Sequence, residues 1–275
     1  DLMPGPGTAF LNLSRAINGC MLNALEPWGI PNPTWLAHRA GQLAAQDKID
    51  PIASVRNDRI YLFSGKNDRT VVPSIVAAAR DFYSAIGVDP SRILFVNDIS
   101  AGHAFVTEDK GGACGETDAP YIVDCDYDMA GALLGHIYGD LNPKAAEPAG
   151  EIVIFNQSEF LEDLSTHGMA DAGAVYISPS CRDAGGCRIH VVFHGCGQNM
   201  SVVGQSFITD TGFLNWADTN RLIVLFPQVS STPANPQACW DWWGYTGRQF
   251  LTRDAPQIVA VRRMLQRLAA TPSMI

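Results

Sequence analysis

The chain is 275 residues long, with 47% hydrophobic and 17% charged residues and a formal net charge of −9. This composition excludes a disordered chain and gives length enough for a deep core. The acidic balance and the lack of a basic block exclude nucleic acid as a partner. No apolar run approaches the roughly eighteen residues that span a bilayer, so no membrane insertion is expected.

Residues 1–58 open on a Pro/Gly-rich segment followed by helix-like material. Asp1 heads the chain with no charged-then-apolar leader after it, so a signal peptide is expected to be absent or already removed. Helical composition runs from Ala40 to Lys48, and Asp50-Pro51 stops it. Arg59 to Ser64 reads as a buried strand ending in the turn cluster Gly65-Lys-Asn-Asp68. Val72 to Ile86 has the spacing of an amphipathic helix. Arg92 to Asn97 is the next strand, followed by the polar turn from Asp98 to His103.

Tyr127 to Tyr138 is a further helix, ended by Gly139. Glu151 to Phe155 and Ala174 to Ile177 are strand-like, as in a hairpin or meander, and Arg188 to Phe193 is expected as the central apolar strand. Phe207 to Asn220 is expected as one helix, Leu222 to Phe226 as a strand, and Asp254 to Leu268 as the terminal helix. The alternation predicts an α/β fold. A mostly parallel central sheet is covered by helices on both faces, as a single domain over residues 1–275. Pro143 to Gly150 reads as a surface crossover rather than a boundary.

The seven cysteines are Cys20, Cys114, Cys125, Cys181, Cys187, Cys196 and Cys239. Cys181/Cys187 and Cys114/Cys125 each bracket a short Gly-containing loop, the spacing of a local staple. Cys196 and Cys239 both lie beside the candidate site. Three pairs suit an oxidising compartment, each contributing about 2–4 kcal/mol. The alternative is seven buried thiols. No Cys/His spacing resembles a zinc site, so no metal is expected.

Four places carry chemistry. Asp68 lies just past the end of a strand, where α/β sheets place catalytic groups, and a carboxylate there can orient a histidine. A turn-capping Asp is the alternative. His103 follows the next strand, and its imidazole can take and return a hydroxyl proton; a loop histidine bonding backbone is the alternative. In His194-Gly195-Cys196 the glycine permits close backbone approach, and the Cys196 amide can donate to an oxyanion. An ordinary strand exit is the alternative. Trp240, Trp242, Trp243 and Tyr245 crowd one loop and suit an apolar polymer or a sugar; core packing is the alternative and is expected to claim at least one of them.

These residues, in this order, resemble the poly(3-hydroxybutyrate) depolymerase family of circularly permuted α/β-hydrolases. The resemblance covers nearly the whole chain. It is carried by Tyr61 to Asp68, Ala101-Gly-His-Ala-Phe105, Asp124-Cys-Asp-Tyr-Asp128 with Ala130-Gly-Ala-Leu-Leu134, Phe193-His-Gly-Cys196 with Gln198, Trp216-Ala-Asp-Thr-Asn220, and Cys239-Trp-Asp-Trp-Trp-Gly-Tyr245. The resemblance implies a serine esterase acting on polyhydroxyalkanoate or its oligomers. Asp68 and His103 would be the triad acid and base. Cys196 would be an oxyanion donor linked by a disulfide to Cys239, which leaves no thiol nucleophile there. The tryptophan loop would border an ester-polymer cleft.

The resemblance also implies a secreted or periplasmic protein with no cofactor. A monomer is expected, with a polyester or small ester as substrate. One departure stands out. The family carries a Gly-Leu-Ser-x-Gly elbow, and none occurs in the 275 residues. Asn12-Leu-Ser14-Arg-Ala16 mimics it without either flanking glycine. The serine is therefore expected upstream. Its strand should lie between the one ending at Ser64 and the one ending at His194, with the N-terminal elbow strand and helix missing here. The alternatives are a polymer-binding domain that has lost its serine, or a general carboxylesterase of the same fold.

Overall fold

The computed structural model describes residues 9–182 and 185–270. The opening Pro/Gly-rich residues 1–8, and residues 183 and 184 of the Cys181/Cys187 loop, lie outside the described residues. Helix α1 spans Ala9–Cys20 and α2 spans Pro33–Ala45. Asn32 caps α2 by accepting from the Trp35 N–H, and Pro33 occupies the first turn. The helix expected from Ala40 therefore begins at Pro33, because a cap followed by proline fixes a start more firmly than composition does.

Strand β1 (Ile60–Phe63), helix α3 (Pro73–Ala85) and strand β2 (Ile93–Val96) form a β-α-β unit with the two strands parallel, Ile60 opposite Ile93. A small sheet follows, made of β3 (Phe105–Thr107), β4 (Gly112–Ala113) and β5 (Ile122–Asp124), with β5 in the middle. These strands of two or three residues are too short to show a period, and sequence reasoning passed over them. Helix α4 (Met129–Tyr138) starts where the Asp128 carboxylate accepts the Gly131 N–H.

The larger sheet comprises β6 (Glu151–Asn156), β7 (Ala172–Ile177), β8 (Arg188–Val191) and β9 (Leu222–Phe226), in the order β6-β7-β9-β8. The short helix α5 (Pro179–Arg182) precedes β8. Helices α6 (Met200–Val203), α7 (Ser206–Thr209) and α8 (Phe213–Asn220) lie between β8 and β9, and α9 (Pro256–Ala270) closes the described chain. Strands β8 and β9 are parallel, but β7 runs antiparallel to both β6 and β9. The link from β6 to β7 contains only 3₁₀ turns, with no helix to carry the chain across the sheet for a parallel return. The helix expected over Phe207 to Asn220 is broken, because Gly212 takes φ +83° and starts α8 afresh.

Side chains alternate across this sheet. Leu222, Val224 and Phe226 of β9 join Leu134 of α4 and Phe213, Leu214 and Ala217 of α8 on one face. Ile223 and Leu225 join Ala260 and Met264 of α9 on the other. Helices thus cover both faces, as expected.

The strand expected at the centre, β8, is an edge among the described residues. Among the described residues it pairs with β9 alone, and β1 with β2 alone. Their apolar residues are accordingly only partly covered: every residue of β1 is half-buried, and Phe193 just past β8 is 51% exposed. Helix α4 reaches both strands. The Tyr138 hydroxyl lies 3.1 Å from His190 Nδ1 on β8, while Arg59, beside β1, donates to the His136 carbonyl.

Candidate active site

The loop after β1 and the loop after β2 are zipped together. Lys66 N–H donates to Ile99 O, and Asn67 N–H donates to Ala101 O. Gly65 is required for this approach: a Cβ there would lie 2.2 Å from the Ala101 carbonyl oxygen. The zip brings Asp68 to His103. Asp68 Oδ2 is 2.8 Å from His103 Nδ1, and Oδ1 accepts the N–H groups of Thr70 and Val71 at 2.9 Å each. The turn-capping role and the histidine-orienting role, posed as alternatives from sequence, are thus both met, by the two oxygens of one carboxylate.

Burial by itself would raise the Asp68 carboxyl. The hydrogen bond from His103 and the two backbone N–H donors outweigh it and hold the group below the usual carboxylate range. The ionised carboxylate accepts from Nδ1–H, which leaves the lone pair on Nε2. The ring is 43% exposed, so Nε2 can reach a hydroxyl from solvent.

The backbone around His103 is fixed from the neighbouring loop. Its N–H donates to Thr117 Oγ1 at 2.9 Å, and the Gly102 N–H donates to the Cys114 carbonyl. The Cys114–Cys125 disulfide holds that loop.

The loop after β8 is pinned from three directions. The buried His194 ring has Nδ1 2.7 Å from the Gly195 carbonyl, and its Nε2 accepts the Val229 N–H at 3.2 Å. Nδ1 therefore carries the proton. Burial pushes this imidazole down, against a smaller upward pull from the Gly195 carbonyl, so the ring stays neutral. In a trans peptide C=O and N–H point in opposite directions, so fixing the Gly195 carbonyl on His194 turns the Cys196 N–H away from it. That N–H has no acceptor among the described residues, and Cys196 is exposed. Its sulfur is bonded to Cys239, which removes any thiol nucleophile. The third pin is Gln198, whose Oε1 accepts the Gly195 N–H at 2.9 Å.

Beyond Cys239 the aromatic loop wraps around Asp241, whose carboxylate accepts the N–H groups of Trp243, Gly244, Tyr245 and Thr246. Trp240 meets the exposed Phe193 edge to face at 4.9 Å.

No family model matches the chain. The chain is 41% identical over 264 residues to a poly(3-hydroxybutyrate) depolymerase of Delftia acidovorans, covering 94% of this chain and 51% of that protein. It is 32% identical over 244 residues to a polyhydroxybutyrate depolymerase of Talaromyces funiculosus, covering 83% of this chain and 69% of that one. The chain belongs to the poly(3-hydroxybutyrate) depolymerase family. Two solved structures agree: a serine-to-alanine PHB depolymerase complexed with an R3HB trimer (TM-score 0.82) and the PHB depolymerase of Penicillium funiculosum (TM-score 0.81). Each is 30% identical, over 92% of this chain and 81% of the other. The chain spans about half the length of the Delftia relative (51%).

In this depolymerase-family chain the structure brings Asp68 and His103 together and pairs all six cysteines as expected, leaving Cys20 free. Trp243 is a correction. It is 4% exposed, packed with Ala16 of α1 and Cys239, so its ring has no face for a substrate. Trp240, Trp242 and Tyr245 remain half-buried. Ser14 lies inside the continuous helix α1, with no strand leading into it and no strained turn at it.

Sequence reasoning gave no role to Thr117, Gln198 or Asp241. The Gln198 amide was visible only as one letter of a longer motif. Thr117 carried no signal, because its partner is a backbone N–H fourteen residues away in the chain.

Proposed function

We propose that this chain forms the acid, histidine and oxyanion parts of a serine esterase cleaving poly(3-hydroxybutyrate) or its oligomers. The observation that carries it is the 2.8 Å contact between His103 Nδ1 and Asp68 Oδ2, on a histidine whose side chain is 43% exposed. In this reading Nε2 takes the proton of a serine hydroxyl, and the serine oxygen attacks the ester carbonyl. The Cys196 N–H stabilises the oxyanion, and the imidazolium returns the proton to the departing alkoxide. Water then repeats the sequence on the acyl-enzyme.

The serine is carried on a strand seated between β1 and β8, from a segment N-terminal to Asp1, and the oxyanion loop's place after Asp68 and His103 makes the fold a circular permutation. The unpaired apolar edges of β1 and β8, both reached by α4, support that seat. The relative solved with an R3HB trimer supports the substrate class. Trp240, Trp242 and Tyr245 border the polymer cleft, a monomer suffices for the chemistry, and the three disulfides favour export from the cytoplasm.

The test compares residues 1–275 with a form extended at its N-terminus by the elbow strand and helix, on p-nitrophenyl butyrate and on hydroxybutyrate trimer. The extended form is expected to turn over both, and Asp68→Asn to lower kcat by about 10⁴-fold. Failure of the extended form on both esters would overturn the reading. Turnover by residues 1–275 alone that Ser14→Ala abolishes would move the nucleophile to Ser14.

A further inference from the structure

We infer that Gln198 is a positioning residue that couples the oxyanion loop to the histidine loop through the two ends of its side-chain amide. The inference rests on the reading of Cys196 as an oxyanion donor.

Gln198 is 8% exposed. Its Oε1 accepts the Gly195 N–H at 2.9 Å, while its Nε2 donates to the Tyr121 carbonyl at 2.9 Å and to the Pro120 carbonyl at 3.2 Å. The Tyr121 carbonyl also accepts the Phe105 N–H at 2.8 Å, two residues beyond His103. One amide therefore stands between the His194–Gly195 peptide, one residue before the Cys196 N–H, and the strand that leaves His103. The Tyr121 ring adds contact at the same place: a Cβ on Gly197 would lie 3.2 Å from it.

Only a group that accepts on one side and donates on the other fits. A carboxylate would accept from Gly195 but would face two carbonyl oxygens with no proton to give. A protonated carboxyl would accept from Gly195 again and give its one proton to the carbonyl pair. Gly195 is exposed, so its N–H is shielded from exchange chiefly by this one acceptor.

The experiment uses two variants. In the N-terminally extended form Gln198→Met keeps the volume and removes all three hydrogen bonds. It is expected to lower kcat by about 10- to 100-fold, with KM within about twofold, because a misplaced oxyanion donor weakens transition-state rather than ground-state binding. For Gln198→Glu the kcat ratio to wild type should be highest at acid pH and fall as the introduced carboxyl ionises. Loss of packing alone would give a ratio that does not change with pH. A Met variant with wild-type kcat, or a Glu variant with a flat ratio, overturns the inference.

In residues 1–275 alone, amide hydrogen exchange at Gly195 should speed up in the Met variant; unchanged protection overturns the coupling. A wild-type enzyme with no esterase activity would sink the hydrolase reading, and the exchange measurement would still decide whether the link exists.

Discussion

Removing the three disulfides one pair at a time, Cys→Ser at both ends, should separate their effects on stability from their effects on turnover. The pairs close segments of 43 residues (Cys196–Cys239), 11 residues (Cys114–Cys125) and 6 residues (Cys181–Cys187). Loop-closure entropy in the unfolded chain then gives about 4, 3 and 2 kcal/mol respectively at 25 °C. Guanidinium unfolding of residues 1–275 reads that order directly. On the proposed reading, turnover of p-nitrophenyl butyrate by the N-terminally extended form should follow a different pattern. Loss of Cys196–Cys239 frees the loop that presents the Cys196 N–H. Loss of Cys114–Cys125 loosens the segment whose Cys114 carbonyl and Thr117 hydroxyl hold Gly102 and His103. Both should lower kcat by at least about tenfold, since donor and base must sit within a fraction of an ångström of their place. Cys181–Cys187 ties α5 to the start of β8, far along the strand from the site, and its removal should leave kcat unchanged. Equal stability losses for the 43- and 6-residue segments, or full kcat without Cys196–Cys239, would refute the reasoning.

Three further outcomes are expected. Asp68 has a depressed carboxyl, so its ionised form adds stability above the ordinary Asp value of about 3.9, and this is lost as pH falls through the folded value. The stability gap between wild type and Asp68→Asn should be widest near neutrality and close below about pH 4, as read by urea unfolding at a series of pH values. Burial pushes His190 down to about 4, so between the ordinary histidine value of about 6.5 and that point the unfolded chain binds the proton and the folded one does not. Wild type should therefore lose stability over that window, and His190→Gln, which can still accept from Tyr138, should lose less. Gly65→Ala forces a methyl against the Ala101 carbonyl, so calorimetry should show a loss of about 1–3 kcal/mol and kcat should fall as Asp68 and His103 separate.

The sequence was legible where a local rule had no rival. The strand Leu222–Phe226 is legible with its observed bounds because its five apolar residues run without interruption up to Pro227. Asp68 and His103 were legible because each follows a strand whose end was clear. The position of β8 was not, since centrality depends on which strands pair beside it, and pairing is not a local property. Trp243 was misread for a related reason. Four aromatic rings in a loop look alike in sequence, and only the packing of α1 decides which is covered. The family motifs outside the site also found their use in packing: Asp128 of the Asp124–Asp128 run accepts the indole N–H of Trp216 at 3.0 Å.

Asp241 gives the aromatic segment a property that the rings themselves do not. One carboxylate receives four successive backbone groups, so the path of residues 242–246 is written in main-chain bonds rather than in the identity of what projects from it. Position 242, whose indole is half-buried and whose own N–H takes no part, is thus a place where the rim can be rewritten while its frame keeps its shape.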